Sequence, residues 1–491
     1  MIGCSRAPAS ADSAKVHDNT LGYDSALGQE SAQGQEIVLT KSTPFNTMFF
    51  NPVKDDSMLG DPWITLHDGW YYYTQSGGNH IVITKAGAMT GVSAGLSKEI
   101  WNINSQQGLD QIWAPELHFY GGLWYCYFTA RQNAADEMRR IFVLRSRSGD
   151  PMGEWDFIGK INLPDDQWAI DATFFSYKER LFLIWSGWKD VSEGPGVWRQ
   201  NLYICELEDP VTVKPGASRV KISGPDHDWE TVELPQNEGP EILVSPNNRV
   251  FCIYSASFSK SDSYCLGLLE LRGEPTDPSC WQKNDSPVFR SAPAEHVYSP
   301  GHCSFTESGG GSEHWIMYHA AKDSRSAWDR SARIQQFYFD QEGFPVFGIP
   351  RSTNAPYTLP SGEKVNRLLY EAEDAQLTMA DVQTTEGASG SGVVKMPELN
   401  SSVLFRISVP NAGVYPVYVR YTSSMPMTSQ ATLRINGERK FNVQFRRCAI
   451  TGVTTSDMGL TVINVELKAG ENDLEFSDSR TIGIDCIILD L

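Results

Sequence analysis

Between residues 60 and 321 the chain repeats one arrangement of apolar and polar positions five times. A polar or acidic residue opens an apolar strand, a turn follows, and an aromatic-rich strand ends in small residues. The copies are "GDPWITLHDGWYYYTQS" from Gly60, "WAPELHFYGGLWYCYFTA" from Trp113, "IDATFFSYKERLFLIWSG" from Ile170, "NEGPEILVSPNNRVFCIYSAS" from Asn237 and "SPGHCSFTESGGGSEHWIMYHA" from Ser299. Their starts are 53, 57, 67 and 62 residues apart. Period-two alternation, β-branched and aromatic enrichment and Gly/Asp/Asn turns predict hairpins rather than helices. A repeat of this size has room for four strands, the spacing of propeller blades packed radially round a channel. The fold class expected is all-β, with a five-bladed β-propeller over residues 37–350.

From Leu368 the texture changes to short alternating strands such as "VLFRISV", "VYPVYVRYT", "ATLRING" and "IDCIILDL". Hairpin-sized spacing predicts a jelly-roll-like β-sandwich over 368–491. The boundary agrees with aromatic usage, since all 14 tryptophans lie between Trp63 and Trp328. The Pro/Ser/Asn-rich run from Gly348 reads as a linker, placed at 351–367. Residues 1–36 lack the continuous apolar core of a signal peptide, and their Ser/Ala/Gln/Gly/Asp composition predicts a flexible arm.

Composition narrows the partners. A net charge of −19 argues against nucleic acid, whose phosphates require clustered Lys and Arg. No uncharged apolar stretch reaches the eighteen or so residues of a membrane span. The nine cysteines form no C-x-x-C pair and no His/Cys cluster, which disfavours a zinc site. A neutral glycan fits this balance.

In a propeller the first strand of each blade is innermost, so the opening positions converge on one axis. They supply Asp61, the Trp113/Glu116 neighbourhood, Asp171, Glu238 and His302. An ionised carboxylate among apolar strands is costly unless it is paired or used. Two carboxyl groups flanking a glycosidic bond are the usual equipment for its hydrolysis, one protonated and one ionised. A third nearby raises the acid's pKa by like-charge repulsion.

"LGDPWI", "IWAPELH", "DATFF", "NEGPEIL" and "SPGHCSF…YHA" resemble, in order and spacing, the five-bladed enzymes of glycoside hydrolase family 43 over roughly residues 48–350. "QIWAPELH", "DHDWE", "NEGP" and "YSPGHCSF" most resemble its exo-acting α-L-arabinofuranosidase branch. The resemblance implies an inverting enzyme, without cofactor for its chemistry, acting on arabinan or related plant cell-wall polysaccharide; a secreted monomer is expected, with an intracellular protein the alternative left by residues 1–36. It implies Asp61 as general base, Asp171 as pKa modulator and Glu238 as general acid, with Asp61 and Glu238 about 6.5–9.5 Å apart. His302 matches an axial histidine that binds a water or metal ion, and Arg333 an arginine that holds the acid or the sugar. Trp113 matches an aromatic lining the pocket, and Trp188 is placed at the cleft rim. A β-xylosidase, an exo-galactanase and a non-catalytic sugar-binding propeller remain open alternatives.

Other residues draw more modest expectations. Glu116 lines the pocket or pairs with Arg333, and Asp228 and Glu230 form a rim loop. Glu241, Trp185 and His319 belong to the structural interior. In the second domain, "YEAEDA", "VPNAGVYPVYVRY" and "GIDCIILDL" resemble carbohydrate-binding modules of families 6 and 35. That likeness implies a structural calcium on Glu371, Glu373 and Asp485. "FRRCAITGVTT" lacks a sugar-stacking aromatic, and the alternation of Tyr370, Tyr415, Tyr418 and Tyr421 assigns them mostly to the core.

Overall fold

A computed structural model of the chain describes residues 38–55, 60–103, 108–324, 326–423, 425, 427–448 and 458–491. The N-terminal arm and most of "CAITGVTT" lie outside the described residues.

Five antiparallel sheets follow one another, each formed by sequential hairpins. Their inner strands are Trp63–His67, Leu109–Tyr120, Ala169–Tyr177, Asn237–Val244 and Tyr298–Glu307. Each packs beside the next, and the fifth returns to the first, closing the ring. We call these sheets blades I to V. Aromatic and branched apolar side chains fill the spaces between them. Phe174, Leu183 and Trp185 of blade III meet Tyr127 and Val143 of blade II, for example. Trp185 is 1% exposed and belongs to this core, as its alternation predicted.

The ring also closes through polar groups. The Ile64 amide donates to Ser304 Oγ at 3.1 Å, and that hydroxyl donates to the Pro62 carbonyl at 3.1 Å. Asn51 mimics a strand neighbour: its Nδ2 donates to the Ile334 carbonyl at 3.0 Å, and its Oδ1 accepts from the Ile334 amide at 3.1 Å.

The second domain is a sandwich of a seven-stranded and a five-stranded sheet. Its interior includes Val403, Phe405, Val419, Tyr421, Leu474 and Ile487. Tyr370 and Tyr421 are buried there, as alternation predicted, Tyr415 packs against the edge of that core, and Tyr418 is buried in a separate cluster with Phe50, Leu369 and Ile488.

Two boundaries differ from expectation. Thr43–Pro44, in the stretch assigned to the propeller, pairs with Leu368 and Leu369 and extends the sandwich. The Pro/Ser-rich segment is held: Pro356–Thr358 pairs with Met48–Phe50, and Glu363 Oε1 accepts from the Met89 amide at 2.6 Å. A segment that supplies its backbone to a neighbouring strand is ordered by that pairing whatever its composition.

Candidate active site

Just before or within each inner strand, one residue adopts the left-handed region: Asp61 (φ 53°), Ala114 (φ 43°), Asp171 (φ 54°), Gly239 (φ 52°) and His302 (φ 42°). In blades II to V the strand register slips at the same place, as a bulge does. Only glycine adopts this conformation freely, so the four other residues store strain where side chains must be re-aimed.

The amides at these positions are held by the neighbouring blade. Ala114 N donates to Ser76 Oγ at 2.8 Å, Asp171 N to Thr129 Oγ1 at 3.1 Å, His302 N to Ser255 Oγ at 2.7 Å, and Asp61 N to His319 Nδ1 at 3.1 Å. These partners are the small polar residues ending the aromatic strands of the repeat, and in the last case the histidine of "YHA". Blade IV differs. Gly239 N donates to Asp171 Oδ2 at 3.1 Å, and Ser186 Oγ donates to the Asn237 carbonyl at 2.8 Å. A Cβ on Gly239 would lie 3.0 Å from His302 Nδ1, so glycine lets the Glu238 strand approach the axis.

Asp61, Asp171, Glu238 and His302 therefore form one electrostatic group. Asp61 Oδ1 lies 3.1 Å from His302 Nδ1, and Oδ2 accepts from Ser76 Oγ at 2.5 Å. Burial alone would raise the Asp61 pKa. The charge and hydrogen bond of His302, with the charge of Arg330, outweigh it and hold the carboxyl well below its usual range. His302 responds in the opposite sense. Burial disfavours its charge, but Asp61, Asp171 and Glu116 win and bring it up to about 9.

Glu238 is 9% exposed, and burial raises its pKa, with Asp61 adding to the effect. Tyr264 Oη donates to Glu238 Oε1 at 2.8 Å. Asp171 is 4% exposed and is pushed up to about 8, by burial first and then by the charges of Glu238 and Asp61. The charge of Glu238 thus adds to the rise at Asp171, so the two carboxyl groups influence one another's titration. One carboxyl group is thus biased toward its ionised form, and the two others of the group toward their protonated forms. That is the asymmetry glycoside hydrolysis requires.

Several expected residues stand elsewhere. Arg333 lies on the opposite face of its strand from Arg330. Arg330 pairs across from Ala321, and Arg333 pairs across from Tyr318, the other parity of the same ladder. Arg330 is the guanidinium whose charge reaches Asp61, Glu238 and His319. Its Nη2 donates to the Ser259 carbonyl at 2.5 Å. Trp188 is not at a rim: it is 2% exposed and stacks on Trp168 at 4.4 Å. Trp113 is half-buried against this cluster, with the Arg139 guanidinium 3.2 Å over its ring.

Glu116 does not meet Arg333. It bonds His118 Nε2 at 2.9 Å and is buried with a raised pKa, chiefly from desolvation. Glu241 lies near it, its pKa raised well above the usual range by burial and then by Glu116. Asp228 is exposed, but Glu230 is 0% exposed. Glu230 binds Lys283 at 2.9 Å and accepts from Asn237 Nδ2 at 2.9 Å, so it anchors the residue before Glu238.

Sequence reasoning missed Tyr264, Ser76 and Arg330, and treated His319 as a satisfied core residue. His319 is fully buried, and its Nδ1 accepts from the Asp61 amide. Burial first, then Arg330, drives its pKa well below the usual value, so the ring is neutral with its proton on Nε2. Only tertiary closure between blades I and V brings it there. We expect Arg330→Met to lower kcat/KM about tenfold, roughly one pKa unit of lost charge stabilisation at Asp61. Arg333→Met should leave kcat unchanged. Steady-state kinetics on one chromogenic substrate distinguishes the two.

In the sandwich, Ser389 Oγ donates to Glu371 Oε2 at 2.7 Å and its amide to Asp485 Oδ1 at 2.9 Å. Ser391 Oγ donates to Glu373 Oε1 at 2.9 Å. The cation facing Asp485 is the buried Arg420 guanidinium. Among the described residues no three His, Cys, Asp or Glu side chains are grouped to hold a metal. The trio expected to bind calcium thus does not form a ready cage: Arg420 and two serines engage most of its oxygens, while Glu373 Oε2 is buried without a partner. At His302, Nδ1 is engaged by Asp61, which leaves Nε2 as the ring nitrogen for the expected axial water or ion.

Comparison with known proteins agrees with this geometry. The family profile for glycosyl hydrolases family 43 matches residues 49–345, and that for carbohydrate binding module family 35 matches residues 368–491. The chain belongs to glycosyl hydrolase family 43. It is an enzyme of the inverting type whose chemistry needs no cofactor. It is 30% identical to an extracellular exo-α-(1→5)-L-arabinofuranosidase of Streptomyces avermitilis over 71% of this chain and 75% of that protein. It is 32% identical to α-L-arabinofuranosidase 43 of Humicola insolens over 69% of this chain and 70% of that one. The crystal structure of an α-L-arabinofuranosidase from Lactobacillus brevis superimposes with a TM-score of 0.57 at 31% identity, covering 62% of this chain and 98% of that one. As a family member with an attached module, the enzyme acts on a polysaccharide-derived substrate. No helix among the described residues is long and apolar enough to cross a membrane.

Proposed function

We propose that this enzyme releases terminal α-L-arabinofuranosyl residues from arabinan or arabinose-bearing plant polysaccharides, outside the cell. Glu238 gives its proton to the glycosidic oxygen as the bond to the anomeric carbon breaks. A water attacks that carbon from the opposite face and passes its proton to Asp61. Asp171 sets the proton affinity of Glu238 and, through the Gly239 amide, the placement of its strand. What supports this division most is that the same buried ring lowers the pKa of Asp61, through His302, and raises that of Glu238, through burial. Inversion in a single displacement calls for about 6.5–9.5 Å between the two carboxyl groups, room for the water. Trp113 offers the sugar one ring face only, because Arg139 covers the other.

The sugar follows from likeness to the arabinofuranosidases, and a substrate panel tests it. Nitrophenyl α-L-arabinofuranoside should be cleaved far faster than the β-xyloside or β-galactoside, and linear arabinan should yield only monosaccharide. A preference for xyloside or galactoside, or release of oligosaccharides, would overturn the assignment.

Removing the phenol of Tyr264 takes a donor from the ionised form of Glu238. In Tyr264→Phe the alkaline limb of the kcat/KM profile should therefore move to higher pH, measured on the nitrophenyl substrate.

A further inference from the structure

Between the propeller and the sandwich lies a cavity of about 20 Å³ lined in part by Asp55, Lys322, Arg333, Thr353, Arg447 and Cys448. Arg333 is 3% exposed, and its Nε and Nη1 have no hydrogen-bond partner. The surrounding cations are otherwise paired. Asp55 is shared by Lys322 at 2.6 Å and Arg446 at 2.7 Å, and Asp329 is shared by Arg446 and Arg447. Among the described residues four cations thus face two carboxylates, and Arg333 is the one left without a counter-charge. A buried guanidinium so placed is costly, because it gives up hydration and receives neither acceptor nor opposite charge.

We propose that this cavity binds a small inorganic monoanion of chloride size, held by Arg333 at the junction of the two domains. The volume admits one small occupant, since a single water needs roughly 10–15 Å³ on the same measure. A water would satisfy the donors but leave the charge; a halide meets both. Lys322 and Arg333 come from blade V and Arg447 and Cys448 from the sandwich. The anion therefore joins the domains without touching the carboxylates at the channel mouth, and the inference is independent of the proposed substrate.

The test compares the thermal stability of the full-length enzyme in sodium chloride and in sodium gluconate at equal ionic strength. Gluconate is too large to enter. Chloride should raise Tm saturably by roughly 2 °C, and Arg333→Met should abolish the difference. Crystals soaked in bromide should show an anomalous peak within hydrogen-bonding reach of Arg333 Nε or Nη1. Equal Tm in the two salts, a chloride effect that survives Arg333→Met, or a water in place of bromide would each overturn the proposal. Should Arg333→Met fail to fold, the bromide experiment on the wild type decides alone.

Discussion

Glu238→Gln should lower kcat on linear arabinan by about 10³-fold while leaving far more activity on nitrophenyl arabinofuranoside. A sugar hydroxyl must receive a proton as it leaves, whereas nitrophenolate departs without one. Gln keeps the volume and can still accept from Tyr264, so the loss reports on the proton and not on packing. The discriminating quantity is the ratio of the two kcat losses. Equal losses on both substrates would show that Glu238 does not protonate the leaving group.

Asp61→Asn should instead lower both rates together, by about 10³–10⁴-fold, because activation of water is needed whatever departs. Asn tolerates the left-handed backbone at φ 53°, so the fold should persist. The variant also removes the charge that does most to raise the His302 pKa, first through Coulomb attraction and then through the hydrogen bond. The imidazole should then titrate at lower pH, which proton NMR of its ring can follow. A variant that keeps its rate on either substrate would remove Asp61 from the mechanism.

The same groups predict how stability depends on pH. His302 titrates near 6.5 when unfolded and about 9 when folded, so its stabilisation is complete below 6.5 and is lost as pH rises to 9. Asp171 is the reverse of the usual carboxylate. Its folded pKa of about 8 exceeds its unfolded value, so it takes stability away as pH rises from about 4 to 8. Both effects make Tm fall between pH 6.5 and 8. Asp171→Asn should raise Tm at pH 7.5 even as it lowers kcat, as happens where an active site holds a group that folding alone would discard. Calorimetry at pH 5 and 7.5 checks both signs.

How much of this was legible in the chain can be argued from single positions. Asp61, Asp171 and His302 were readable because the repeat puts them in phase, and phase is a property of sequence. The hydroxyls of Thr129, Ser186 and Ser255 were visible only as the small residues that close each aromatic strand. Their role of bonding the next blade's backbone needed the radial packing. Arg333 was misplaced because strand parity decides which face a side chain takes, and the register of the last hairpin is not written in its charge-rich loop. Tyr264 lies 26 residues from Glu238 and carries no pattern of its own. The sandwich strands were plain from alternation, whereas the pairing of Thr43 with Leu369 joins residues more than 300 apart and has no local signal.

The most direct test is a crystal structure of the Asp61→Asn variant with an arabino-oligosaccharide bound. It should show the terminal arabinofuranosyl ring at the channel mouth and the Glu238 carboxyl hydrogen-bonded to the glycosidic oxygen. A water should lie between the substituted amide side chain and the opposite face of the anomeric carbon. A sugar bound away from these residues, or one with both side chains on the same face, would contradict the account.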